Sequence, residues 1–178
     1  VLTKVDKHDP ERVLTGAEFR LETETGEIIR EGLTTDKDGE LHVDDLKPGN
    51  YRFIETKAPQ HYQLDETPIA FTIVKGQEIA LTVLAKNELI TGAVVLTKVD
   101  AADKQHVLAG AHYELQDATG RTIQTDIVTD AEGKISINGL RPGDYQFVET
   151  QAPTGYQLDA TPVTFTIAYS QEKTVQLT

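Results

Sequence analysis

Six residues, VLTKVD, open the chain at Val1 to Asp6 and return unchanged at Val95 to Asp100. The offset of 94 positions between Lys4 and Lys98 then holds without a gap, from Val1 against Val95 to Leu84 against Thr178. A little under half of the paired positions are identical. A repeat this long is a whole domain, because solenoid units run to about 20 to 50 residues. The 178 residues are therefore expected to form two domains of modest size, 1–90 and 91–178, the second with its last strand incomplete. Whatever the fold is, each repeat must be able to close its own core.

Both repeats read as short strands set apart by turn residues. In the first, Ala17, Phe19 and Leu21 alternate on one face, and Thr25-Gly26, Asp36 to Gly39, Pro48-Gly49 and Thr67-Pro68 punctuate the chain. Gly110, Gly120, Asp130 to Gly133, Pro142-Gly143, Pro153 and Pro162 do the same in the second. With no sustained 3.6-residue periodicity, this predicts two all-β sandwiches of about seven strands each, the first closed by a strand over Glu78 to Asn87. Glu88 to Ala93 joins them, with no Pro and no Ser, which predicts a semi-rigid, elongated pair.

Three polar side chains break the strand pattern of the first repeat. Successive side chains of a strand point to opposite faces, so Lys4 follows Leu2 on an inward row, Glu55 follows Tyr51 and Phe53, and Asn87 follows Leu81, Val83 and Ala85. In the second repeat Lys98 follows Val94 and Leu96, and Glu149 follows Tyr145 and Phe147. The position matching Asn87 falls three residues past Thr178, so within this sequence Lys98 and Glu149 are expected as an unreacted, salt-bridged pair. Asn138 is a poor substitute, since Asn138-Gly139 reads as a hairpin turn. Each intruder has an ordinary explanation if taken alone: a lysine snorkelling at a sheet rim, half of a salt bridge, a turn or cap residue.

Composition excludes several functions. The net charge of −12 is spread over both repeats and argues against a nucleic-acid partner, whose phosphates need Lys and Arg. No apolar run reaches the roughly 20 residues of a membrane helix, so no membrane insertion is expected of this segment. Cysteine is absent, which removes disulfides and thiolate metal sites. No metal or other cofactor is expected: His8, His42, His61, His106 and His112 fall at five unrelated places in the repeat, and TDKDGE at Thr35 lacks the later Glu of a calcium loop. The two serines, Ser136 and Ser170, lie in no G-x-S-x-G elbow, and there is no Gly-rich phosphate loop. A first residue of Val1 and no Met anywhere point to a piece of a longer protein.

The residues now assembled resemble the Cna B-type (collagen-adhesin B repeat) domain family, the stalk repeats of Gram-positive surface adhesins and pilins. The resemblance covers both repeats and rests on GAVVLTKVD at Gly92, LTGAEFRL at Leu14 with LAGAHYEL at Leu108, the turns TDKDG and TDAEG, LKPGNY and LRPGDY, and ETQAPTGY at Glu149. ETKAPQHY at Glu55 departs from the last pattern, with His61 where Gly155 stands in the second copy. The resemblance implies a transthyretin-like, inverse immunoglobulin-like sandwich. It also implies a self-formed isopeptide bond joining a first-strand lysine to a last-strand asparagine with help from a buried glutamate, which are Lys4, Asn87 and Glu55 here.

Burial accounts for such chemistry, since a dry interior disfavours both charges and leaves a neutral amine beside a neutral acid. The amine is then a nucleophile, and the acid can donate to the Asn87 carbonyl oxygen and pass a proton to departing ammonia. The resulting expectation is a monomeric, structural stalk segment of an extracellular, cell-wall-anchored protein, not an enzyme beyond a single self-crosslinking turnover. Its partners would be neighbouring repeats of the same protein, with any host extracellular-matrix ligand bound through another domain. The alternative, a ligand-binding adhesin module for a host matrix protein or glycan, predicts an exposed aromatic cluster.

Overall fold

A computed structural model describes residues 1–178 as two units, Val1–Leu89 and Ile90–Thr178, each made of strands with no helix. The first contains β1 (Leu2–Asp6), β2 (Glu18–Thr23), β3 (Ile28–Thr34), β4 (Glu40–Leu41), β5 (Gly49–Lys57), β6 (Ile69–Ile73) and β7 (Val83–Asn87). The second contains β8 (Gly92–Thr97), β9 (His112–Asp117), β10 (Thr122–Val128), β11 (Lys134–Leu140), β12 (Gly143–Gln151), β13 (Val163–Ile167) and β14 (Val175–Leu177). Seven strands per unit agree with the all-β sandwich read from the turns.

In the first unit a three-stranded sheet ordered β4-β1-β7 faces a four-stranded sheet ordered β3-β2-β5-β6. The second repeats this as β11-β8-β14 and β10-β9-β12-β13. The first and last strands of each unit are parallel neighbours, with Lys4 opposite Ala85, Asp6 opposite Asn87 and Leu96 opposite Leu177. Strands so paired cannot be joined by a hairpin, so the rest of the unit forms the crossover between them.

Between the sheets Leu2, Ala17, Phe19, Leu21, Leu41, Phe53 and Ala85 form the first core, where Phe19 meets Phe53 edge-on at 6.2 Å. Each fully buried aromatic of this kind contributes about 1.5 to 3 kcal/mol. Leu96, Ala111, Tyr113, Leu115, Ile135 and Phe147 take the same places in the second core.

Turn chemistry explains the repeated words. Asp36 Oδ1 accepts the backbone N–H groups of Asp38 and Glu40, both at 2.9 Å, and Asp130 does the same for Glu132 and Lys134. TDKDG and TDAEG are therefore turns closed by an aspartate. The preceding Thr35 is buried, donating to Leu14 O at 2.9 Å and accepting from Ala17 N at 3.1 Å. Gly39 ends the turn at φ +72°, and a Cβ there would lie 2.8 Å from Val13 Cβ and 2.9 Å from Lys4 O. Only glycine lets the turn press this closely on β1.

Two expectations are corrected. The last strand of the first unit starts at Val83, not Glu78, and Leu81 is 37% exposed. The Gln77 side chain accepts from Val74 N and donates to Ile79 O, offering the backbone a local alternative to the ladder. Gln171 does the same after β13, with Ala168 N and Lys173 O. Asn138 lies inside β11, where the register shifts between Ile137 and Leu140 and Gly139 takes φ +74°. The Asn-Gly pair makes an irregularity within a strand, not a hairpin turn.

Candidate functional site: a buried amine, carboxyl and carboxamide

The backbone of Lys4 is held from both sides, its N–H donating to Gly39 O and its carbonyl accepting from Leu14 N, each at 2.8 Å. Its side chain turns into the core and is 2% exposed. The parallel ladder sets Asn87 two positions along from Lys4 on the same face, so the two meet at the end of one sheet. Glu55 reaches the same point from β5 in the opposite sheet. All three residues are about 1% exposed.

Lys4 Nζ lies 2.9 Å from Glu55 Oε1, the distance of a buried ion pair. The ammonium position also stands 5.4 Å from the centre of the Phe19 ring. Burial lowers the Lys4 pKa from its ordinary 10.5, against the opposing pull of Glu55 and, more weakly, Asp65. Asn87 Nδ2 donates to Glu55 Oε2 and to Gln63 O, both at 2.7 Å. Glu55 Oε2 also accepts from Asp65 N at 2.9 Å. Lys4 and Asn87 are separate side chains in this structure, bridged by the two oxygens of one carboxyl group.

One detail differs from the sequence reading. Glu55 addresses the nitrogen of the Asn87 amide and not its oxygen, and Asn87 Oδ1 is buried without a hydrogen-bond partner. Two acceptors, Glu55 Oε2 and Gln63 O, converge on one end of the amide and turn its NH2 toward them. The carboxyl is thereby placed to move a proton between Nζ and Nδ2, and no donor stands at the carbonyl oxygen.

In the second unit Lys98 Nζ lies 3.0 Å from Glu149 Oε1, and Asp159 N donates to Glu149 Oε2 at 3.0 Å. Lys98 is more open, at 22% side-chain exposure, with Tyr113 6.0 Å beneath its Nζ. Burial still acts to lower its pKa, but Glu149 and Tyr113 together outweigh it and the net direction is up. The two lysines are thus tuned in opposite directions by one scaffold.

Sequence reasoning missed Asp6 and Tyr62. Asp6 is fully buried, and its Oδ2 accepts the Tyr62 hydroxyl at 3.0 Å. The parity that singled out Lys4 continues to Asp6 and would have found it. Asp100 and Tyr156 form the same bond at 2.9 Å in the second unit. His61, the departure from the hallmark run, takes φ +72° where Gly155 has +87°, so the loop keeps its shape with a residue that favours that region less.

The model of the SpaA family, described as a prealbumin-like fold domain, matches residues 1–87 and again residues 92–178. The chain belongs to this family. Its SpaA-type domains are 28% identical over 171 residues to serine-aspartate repeat-containing protein D of Staphylococcus aureus strain Newman, covering 82% of this chain and 12% of that protein. Colossin-A of Dictyostelium discoideum is 30% identical over 150 residues, covering 75% of this chain and 1% of its own length. Among solved structures, the Bacillus anthracis TIE protein superposes with a TM-score of 0.70 at 27% identity, covering 98% of this chain and 32% of that one. The chain thus spans a small part of the curated relatives it matches. The SpaA match and these relatives agree with the Cna B-type family, and with the paired sandwich fold, that the hallmark runs indicated.

Proposed function

We propose that the chain is a structural stalk segment of an extracellular, cell-wall-anchored surface protein, with its first SpaA-type domain locked by an isopeptide bond between Lys4 and Asn87. The observation that carries this reading is the meeting of Lys4, Glu55 and Asn87 in a dry interior at the ends of the first and last strands. In the reaction the Lys4 amine attacks Asn87 Cγ, a new Nζ–Cγ bond forms, and the Cγ–Nδ2 bond breaks. Glu55 takes a proton from Nζ through Oε1 and returns one to Nδ2 through Oε2, so ammonia leaves and the acid is unchanged. Fixed proximity supplies much of the acceleration. Because the reaction runs once, the product is architecture and not turnover.

The ligand-binding alternative receives less support. Of the 11 aromatic residues only Tyr156 and Tyr169 are exposed, and the Tyr156 hydroxyl is engaged by Asp100. Intact mass tests the proposal: the chain is expected to be lighter than its sequence by one ammonia, with the loss mapped to a peptide joining Lys4 to Asn87. A full-length mass would remove the crosslink from the reading.

The lysines give a second check, in an Asn87→Ala chain where both amines remain free. The folded-state pKa of Lys4 is below the 10.5 of the unfolded chain, so between the two the unfolded state binds the extra proton. This contribution is therefore complete above 10.5 and is lost as pH falls through that window toward the folded midpoint. For Lys98 the folded pKa is above 10.5, so its contribution is complete below 10.5 and is lost as pH rises through the higher folded value. A titration of labelled lysine Cε resonances should place the Lys4 midpoint below 10.5 and that of Lys98 above it. The reverse order would contradict the account of a neutral nucleophile.

A further inference from the structure

The crosslinking reaction needs more than three residues in contact, since the Asn87 amide and the Glu55 carboxyl must each be held in one orientation. Both are oriented by the loop between β5 and β6. Gln63 O accepts Asn87 Nδ2 at 2.7 Å, Gln63 N donates to Glu88 O at 2.8 Å, and Asp65 N donates to Glu55 Oε2 at 2.9 Å. Two of these groups touch the reacting amide or its acid, and the third ties the loop to the residue after Asn87. The orienting groups belong to the backbone, so their positions depend on whatever fixes the loop.

Tyr62 is the side chain of this segment that ties it to β1. Its hydroxyl donates to Asp6 Oδ2 at 3.0 Å, while Asp6 Oδ1 accepts His8 N at 2.8 Å and Asp9 N at 3.1 Å. Asp6 therefore spends one oxygen on ending its own strand and the other on the loop. It is fully buried and sits opposite Asn87 on the parallel ladder, so the tie is made beside the reacting amide. Tyr62 N also donates to Pro59 O at 3.1 Å, in the turn where His61 adopts its positive φ. Burial, and then the bond to Asp6, raise the Tyr62 pKa, which keeps the hydroxyl a donor.

We propose that Tyr62 and Asp6 form a positioning latch that holds the Gln63 carbonyl and the Asp65 amide against Asn87 and Glu55, and so sets the rate at which the Lys4 to Asn87 bond forms. This rests on the crosslink reading above. The latch touches none of the reacting atoms: it acts through the loop, by keeping Nδ2 turned toward the carboxyl that must protonate it as ammonia leaves. A displacement of about 1 Å in such an arrangement can cost up to a hundredfold in rate.

The test is a time course on the full chain. Wild type, Tyr62→Phe and Tyr156→Phe are made by cell-free synthesis, quenched at intervals in acidic guanidinium, and weighed for the loss of ammonia. Amide hydrogen exchange of β1 and β7 in parallel samples gives the folded fraction, to which each rate is normalised. Tyr62→Phe is expected to react about tenfold to a hundredfold more slowly per folded molecule and still reach complete crosslinking, because the three reacting groups remain. Tyr156→Phe, which removes the same kind of bond from the second unit, is expected to match wild type. A Tyr62→Phe rate within about twofold of wild type would overturn the latch, as would a Tyr62→Phe chain that never folds, which would make the role structural. A wild type that keeps its full mass would instead overturn the crosslink itself.

Discussion

Replacing Glu55 by alanine is expected to leave the chain at its full mass and to bring the first unit close to unfolding. Without the carboxyl no group links Lys4 Nζ to Asn87 Nδ2, so the amine keeps its protons and ammonia has no route out. The stability lost with the bond is that of a closed loop running from Lys4 to Asn87, about 4 to 5 kcal/mol by analogy with disulfides. Removing the carboxyl also takes the acceptor from the part-buried Asp65 N, at a cost of up to about 1 to 3 kcal/mol for a group left unpaired, and leaves Asn87 Nδ2 with Gln63 O alone. Lys4 adds less than a buried charge would, because burial already favours its neutral form. The combined loss rivals the roughly 5 to 15 kcal/mol that holds a domain folded.

Glu55→Gln separates chemistry from packing. The glutamine oxygen can still accept from Asn87 Nδ2 and Asp65 N, but the amide cannot carry a proton from one nitrogen to another. This chain is expected to fold, keep its full mass and lose only the stability of the crosslink. Mass spectrometry beside denaturant unfolding reads both. Ammonia loss from Glu55→Gln at the wild-type rate would remove Glu55 from the mechanism.

The contrast between Glu55 and Asp6 marks how far the sequence alone could reach. Glu55 was legible because it ends an aromatic row, and Lys4 and Asn87 because they end aliphatic ones; strand parity acts at every residue and survives folding unchanged. Asp6 obeys the same parity, yet an aspartate at the end of a strand also reads as the start of a turn, and it is in fact both. The orientation of the Asn87 amide was out of reach, because it is set by Gln63 O, a backbone atom with no signature in residue type. The late start of β7 was hidden for a related reason: nothing in the residue type of Gln77 or Gln171 announces that its side chain bonds back on its own loop. Turn words such as TDKDG carried over intact since their bonds are local.

Pulled from its ends, the wild-type chain is expected to release the length of one unit, and an Asn87→Ala chain the length of two. In each unit the first and last strands lie side by side and parallel, so tension applied at the termini loads the β1–β7 and β8–β14 ladders along the strands. Those ladders are short, with Leu2 to Asp6 against Val83 to Asn87 in the first unit and Val94 to Leu96 against Val175 to Leu177 in the second. Once such a ladder shears, the chain between the two strands is free to extend by about 3.3 to 3.6 Å per residue, or roughly 270 Å for a unit of this size. A Lys4 to Asn87 bond closes that route, because the force passes from β1 to β7 through a covalent link and the core between them carries none of it. Lys98 is held by Glu149, an ionic partner in the opposite sheet, and nothing covalent ties β8 to β14 within these residues. The second unit therefore serves as an internal standard, extending in both chains at similar force. Single-molecule stretching that records two full extensions from the wild type would show that the first unit transmits load through hydrogen bonds alone.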